Sequence, residues 1–141
     1  MNRRRSRYTK RDRGSAAVEF AILLPVLLLI LFGIIDFGRA LNAQIALTQA
    51  AREGARLDAL NQPNLVTRTQ AAAAGLGSAV NVAVTYQCQP GDGSKNLDAG
   101  VQTSYSFHFI TPLGVVAGLF GGSGLGQPIL LTAQGVMPCE T

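Results

Sequence analysis

The feature that constrains this chain most is an uncharged apolar run near its N-terminus. Residues Phe20–Ile35 have the sequence FAILLPVLLLILFGII, and extending the run back to Ala16 adds one charged residue, Glu19. As a helix, residues 16–35 would be about 30 Å long, which matches the hydrocarbon core of a bilayer. The run therefore predicts a single membrane-spanning helix surrounded by membrane lipid. Pro25 predicts a kink or local loosening within it, because proline removes one backbone donor.

The charges on the two sides of the run predict its orientation. Met1–Arg13 holds seven basic residues and one acid, whereas the remainder of the chain holds five basic residues and seven acids. By the positive-inside rule, the N-terminus is expected in the cytoplasm and the C-terminal part outside, across the cytoplasmic (inner) membrane. Tyr8 is the only aromatic residue in the basic segment, so nucleic acid is not an expected partner.

A cleaved secretory signal is the alternative interpretation of this N-terminal region. Leu41–Ala43 loosely approaches a small-residue cleavage site. The apolar run is longer than a typical signal core, however, and the helical pattern continues past Asp36 without a break. These features favour a retained anchor.

The segment after the run predicts more helix. Phe37–Leu60 is rich in Ala, Leu, Gln and Arg, which favour helix, so the anchor is expected to continue without interruption. Asn64 is expected to cap a short second helix that runs through Ala74 and ends at Gly75. One stripe of the first helix is expected to pack on a sheet or on another copy: Leu41, Ile45, Thr48, Ala51 and Ala55.

The last third of the chain predicts strands. Val80–Tyr86 and Val101–Phe109 alternate apolar and polar residues, as half-buried strands do, and Ile129–Val136 supplies a third run. Residues 87–100 between the first two strands are rich in Gly, Asp and Asn and predict a long exposed loop.

Together these patterns predict an α+β fold. A long N-terminal transmembrane helix continues into an extracytoplasmic helix, which packs on a small antiparallel sheet of about three strands. The predicted organisation is a cytoplasmic basic leader (1–14), a transmembrane helix (15–36), an extracytoplasmic helical segment (37–75) and a strand-rich extracytoplasmic domain (76–141).

The cysteines offer one possible covalent link. Cys88 follows the first predicted strand and Cys139 follows the third, so their Cα atoms can come within bridging range. Outside the cytoplasm a disulfide is favoured over free thiols or a metal site. A metal site also lacks a CxxC spacing, and the single histidine, His108, has no assignable catalytic partner. We therefore predict no metal, no cofactor and no enzymatic activity.

Glu19 is the polar exception within the apolar segment. Its carboxylate either snorkels to the cytoplasmic headgroups or pairs with a positive group on another chain, since ionisable residues inside membranes usually serve a function.

Residues 13–56 contain a series of short motifs in a fixed order: Arg13-Gly14, Ala17–Phe20 (AVEF), Leu24-Pro25, Ile35–Arg39 (IDFGR) and Ala50–Arg56 (AAREGAR). With these motifs the segment resembles the TadE family of pseudopilin-like proteins from tight-adherence (Flp type IVb) pilus systems. The resemblance implies a pilin-like fold and a minor pseudopilin or assembly factor held in the membrane. Its implied partners are the pilus and secretion machinery and other pilin-like subunits. TadG-like chains share the anchor but have a much larger outer domain.

The resemblance also implies a processing site. A prepilin peptidase would cut after Gly14, which makes Ser15 the first residue and Glu19 the fifth of the mature chain. Glu19 would then act in assembly by pairing with the new N-terminal amine of a neighbouring subunit. The disulfide is not part of this resemblance. Two other functions stay open: a membrane-tethered binding or sensing module that uses the loop 87–100, and a small secreted protein.

Overall fold

The chain is α+β, as the sequence predicts. The computed structural model describes residues 11–88, 98–111 and 126–139, with residues 114, 118 and 121. The side chains of residues 11–13 and 78 fall outside this description, as do the basic residues 1–10. The elements are helix α1 (Arg11–Ala59), helix α2 (Leu65–Ala72), a 3-10 helix (Ala74–Ala79), and strands β1 (Asn81–Tyr86), β2 (Asp98–Phe107) and β3 (Ile129–Pro138).

Helix α1 forms the axis of the molecule. It contains 49 residues, is helical through Pro25, and at 1.5 Å per residue is about 73 Å long. Its residues 14–35 are exposed or half-exposed, and the first buried side chain along it is that of Asp36. The predicted continuation of the anchor into an outer helix is confirmed.

The packing face of α1 differs from the predicted stripe. Ala51 and Ala55 are buried as expected, but Leu41 and Ile45 are 50% and 57% exposed. The sheet instead covers the neighbouring face, which carries Ala43, Leu47, Ala50 and Gly54. Most residues of this face are small, which lets the strands approach the helix backbone, and Leu47 fills the core between them.

The three strands form an antiparallel sheet in the order β1-β2-β3. Thr103 in the central strand pairs with Val82 on one side and Ala133 on the other. Strand β2 begins at Asp98, so the last three residues of the predicted loop 87–100 belong to the sheet. Residues 89–97 of the candidate ligand-binding loop lie outside the described residues.

Two contacts fix the sheet on α1. The Thr103 hydroxyl donates to the Leu47 carbonyl at 3.1 Å, in a buried position. At Gly135 the strand lies directly on the helix backbone, where an added Cβ would overlap the Ala51 carbonyl and come within 2.7 Å of the Arg52 nitrogen. Strand β3 therefore runs alongside α1 at a distance that only glycine permits.

Helix α2 begins where predicted but is not capped as predicted. Asn64 has a left-handed backbone (φ 64°) and its side chain makes no capping hydrogen bond. The helix ends at Ala72, and the 3-10 helix follows at once. Gly54 of α1 lets α2 pack closely against α1, since a Cβ at this position would lie 2.7 Å from the Thr69 hydroxyl oxygen. Packing against α1 thus sets the position of α2 without a side-chain cap.

Candidate functional site

The N-terminal half of α1 is a single-pass membrane anchor. Within the described part of the chain, one helix is long and apolar enough to cross a bilayer, and none of its most apolar stretch is buried by the protein. Exposed leucines and isoleucines at this density form an apolar surface that water does not tolerate in a monomer. Contact with lipid or with another apolar helix removes this surface from water.

The anchor is exposed on every side, and one line of its side chains continues as an exposed ridge into the outer helix. At 100° per residue its members fall within an arc of about 80°, on the side of the helix opposite to the sheet. We call this the outward ridge, and all its side chains are exposed: Glu19, Leu23, Leu27, Ile30, Ile34, Phe37, Leu41 and Ile45. A partner that packs along α1 would meet these residues first.

Glu19 lies at the N-terminal end of the outward ridge. It is exposed, and it has no hydrogen bond or ion pair with the side chains that the structure describes. An unpaired carboxylate on an apolar helix is unfavourable within a bilayer, which is why such groups usually find a partner. Gly14 and Ser15 lie in the first turns of α1 and are exposed as well.

Asp36 joins the anchor to the outer domain, a role that the sequence analysis missed. Its side chain is 1% exposed. The carboxylate accepts hydrogen bonds from the backbone N–H groups of Ile110 at 3.2 Å and Thr111 at 3.3 Å, and also from the Thr111 hydroxyl. Two signals marked Asp36 in the sequence, its place directly after the apolar run and its place in the IDFGR motif of the family resemblance. Neither signal identified its partners, which lie more than 70 residues away.

Arg39 completes this junction. Its guanidinium lies 3.3 Å from the Asp36 carboxylate and 5.2 Å from the ring centre of Phe107. Phe107 in turn packs edge to face against Phe109, with ring centres 5.4 Å apart. The contact between the Arg39 guanidinium and the Phe107 ring therefore holds the C-terminal end of β2 against α1, at the point where the anchor ends. The ion pair with Asp36 orients the guanidinium, and the aromatic pair supports the ring.

The two cysteines close the opposite end of the domain. A disulfide joins Cys88 and Cys139, whose Cα atoms are 5.7 Å apart. Strands β1 and β3 are not neighbours, but both run antiparallel to β2 and so end at the same edge. Buried Asp58 of α1 accepts a hydrogen bond from the Cys88 N–H at 3.2 Å, which fastens this edge to the helix.

The described residues include no group of three His, Cys, Asp or Glu side chains that could hold a metal ion. His108 is exposed after the end of β2. The described residues offer an apolar ridge, the exposed carboxylate of Glu19 and two structural junctions. This arrangement is suited to protein and lipid contacts.

No curated protein and no solved structure matches the chain. A family model described as TadE-like protein matches residues 14–56. The matched range includes Glu19, Asp36, Arg39 and the whole outward ridge. The family is a structural and assembly family associated with pili. Residues 14–56 are therefore a TadE-like segment, which confirms the resemblance over this range and supports involvement of the chain in a tight-adherence (Tad) pilus system.

Proposed function

We propose that this chain is a minor pseudopilin or membrane-anchored assembly factor of a tight-adherence pilus, and that it acts by protein contacts without catalysis. The observation that carries the proposal is the outward ridge within the TadE-like segment. The anchor lies in the inner membrane with its N-terminus in the cytoplasm, an orientation supported by the basic residues that precede it.

Burial of the part of the ridge beyond the anchor would drive association with a partner. Phe37, Leu41 and Ile45 are each at least half exposed although they lie on the outer side of the span. Burying one such side chain against a partner is favourable by roughly 1.5–3 kcal/mol. The face that packs on the sheet is already occupied, so the ridge is the surface of α1 left for another pilin-like subunit.

Glu19 supplies specificity at the other end of the ridge. Cleavage after Gly14 by a prepilin peptidase would create a new N-terminal amine at Ser15. Glu19 would then be the fifth residue of the mature chain. Neither charge is favourable alone in a bilayer, but an amine and a carboxylate from adjacent subunits offset each other. Pairing would also fix the axial register of one helix against the next.

Mass measurement with N-terminal sequencing tests the processing step. The protein recovered from membranes of its native host is expected to begin at Ser15. A chain that still begins at Met1 would contradict the processing proposal but leave the anchor in place. A chain that begins near Gln44 would contradict the membrane anchor itself.

Photo-crosslinking tests the assembly step. A photoreactive residue at Ile45 is expected to capture other pilin-like subunits, and Glu19→Gln is expected to abolish that product and reduce piliation while leaving membrane insertion intact. Glu53→Gln is the matched control, because Glu53 lies on the same helix, in an ion pair with Arg56 at 3.6 Å. Equal crosslinking by both variants would refute the role of Glu19.

Substitution of the ridge itself tests the contact surface. Ile45→Ser is expected to weaken association, since it removes an apolar side chain from the proposed interface. Val66→Ser, at a residue of α2 that is 45% exposed, is the control and should have no effect. Unchanged association of Ile45→Ser with the pilus machinery would place the contact elsewhere.

A further inference from the structure

A second apolar surface lies on the opposite side of the molecule from the outward ridge. It surrounds the point where the anchor enters the outer domain, on the side covered by the sheet. Ile110 is 70% exposed and Leu130 is 69% exposed, while Ile129 is 41% exposed. We call these three residues the membrane-proximal rim.

We propose that the membrane-proximal rim rests in the headgroup layer of the bilayer that holds the anchor, so that the outer domain sits on the membrane and does not stand away from it. The inference rests on the membrane anchor used in the proposed function. It adds a lipid surface as a second partner of the outer domain.

The height of Ile110 above the membrane follows from the Asp36 junction. Asp36 is the first residue after the predicted span 16–35, and its carboxylate accepts the Ile110 N–H at 3.2 Å. Ile110 therefore lies at the level where the hydrocarbon core ends. The buried carboxylate holds this position through several hydrogen bonds, so the rim cannot move far along α1.

The height of β3 follows from its pairing with β2. Ile129 pairs with Phe107, whose ring lies under the guanidinium of Arg39. Arg39 is three residues beyond Asp36, or about 4.5 Å along the helix axis. The headgroup layer on each side of a bilayer is roughly 5–7 Å thick. Ile129 is thus within that layer, and Leu130 is at its outer limit.

The exposed residues of β3 change from apolar to polar beyond the headgroup layer. Thr132 accepts a hydrogen bond from Gln44 at 2.8 Å, and Gln44 lies about 12 Å beyond Asp36 along α1. Below this level the exposed positions of β3 are Ile129 and Leu130, whereas beyond it polar Thr132 and Gln134 come first and Val136 follows at the far end of the strand. The exposed apolar side chains next to the anchor are therefore separated from Val136 by polar positions and form a group of their own.

Lipid is favoured over a second copy because of the position of the rim around α1. The outward ridge faces away from the sheet, so a subunit that packs along the ridge leaves the rim uncovered. The rim also lies next to the end of the anchor, whose most apolar stretch is not covered by any described part of the protein. No additional partner is needed to remove the rim from water.

Tryptophan fluorescence of the full-length protein tests the proposal, since the chain contains no tryptophan. Ile110→Trp and Ile129→Trp are compared in phosphatidylcholine/phosphatidylglycerol vesicles, with and without lipids brominated on the acyl chain near the headgroup. Leu27→Trp, in the middle of the span, is the positive control, and its quenching is measured with lipids brominated near the end of the acyl chain. Val136→Trp is the negative control, since Val136 is 54% exposed on β3 at the far end of the sheet.

We expect both rim variants to show blue-shifted emission that the brominated lipids quench, while Val136→Trp is neither shifted nor quenched. Rim variants that behave like Val136→Trp, with Leu27→Trp quenched, would overturn the rim contact and leave the anchor intact. Loss of quenching at Leu27→Trp would overturn the anchor and the proposed function with it. A blue shift without quenching that disappears on dilution in lipid would assign the rim to a second copy and also overturn the proposal.

Discussion

Replacing Asp36 by alanine should release the segment around Ile110 from α1. The wild-type carboxylate is 1% exposed and accepts two backbone N–H groups, the Thr111 hydroxyl and a bond from Arg39. Asp36→Ala removes this acceptor and leaves the donors without their partner. The outer domain should then lose its fixed attachment to the end of the anchor.

The size of the effect follows from the number and kind of bonds removed. A hydrogen bond to a charged group contributes about 1.5–3 kcal/mol, but bonds to one carboxylate are not additive. Removing one partner of a buried charged pair typically costs about 3–5 kcal/mol. Because Arg39 is 40% exposed and can be solvated, we expect the lower part of this range, about 3 kcal/mol.

Hydrogen exchange of the Ile110 and Thr111 amides in the full-length protein, held in detergent micelles, measures this loss directly. A loss of about 3 kcal/mol corresponds to exchange faster by roughly 10²-fold, since 1.4 kcal/mol is a factor of ten. Asp98→Asn is the control, because Asp98 is exposed at the start of β2. If protection of both amides in Asp36→Ala stays within threefold of the control, the Asp36 junction does not hold the domain and the reasoning fails.

Further predictions concern the distal contacts of the domain. Gly135→Ala should destabilise the protein by about 1–3 kcal/mol or more in denaturant unfolding, because its Cβ would overlap the helix backbone. Gly75→Ala, where nothing lies within 4 Å of the added Cβ, should be neutral or slightly stabilising, and equal losses in the two variants would contradict the close approach. The double variant Cys88→Ser, Cys139→Ser should lose about 4 kcal/mol, worked from the 51-residue separation by loop-closure entropy. A mass increase of two hydrogen atoms on reduction checks the bond itself, and unchanged stability after reduction would contradict the entropic argument.

The two ends of the outer domain are fastened by different chemistry. A carboxylate with its hydrogen bonds fixes the end of the sheet next to the anchor, and a disulfide fixes the far end. Between them the sheet approaches α1 through small residues such as Gly135 and Ala51. The domain is therefore rigidly joined to a helix whose outer face stays free for partners.

Local patterns in the sequence determined the anchor and the three strands, whereas the strand order β1-β2-β3 came from the structure. These features depend on composition over a window of residues: a charge-free run of sufficient length, and apolar residues that alternate with a period of two. The position of Cys88 and Cys139 after the first and third strands also followed from these patterns, because strands that run the same way end at the same edge.

Only the tertiary structure decided which face of α1 the sheet would cover. Periodicity marked Leu41 and Ile45 as a packing stripe, yet the sheet packs on the face with Ala50 and Gly54, because backbone contact with β3 requires small side chains. The sequence also did not reveal the partners of Asp36. Ile110 and Thr111 lie more than 70 residues away along the chain and contact it only after the chain has folded. Spacing along the chain specifies elements, whereas the choice among competing faces and distant partners depends on contacts that exist only after the elements have packed together.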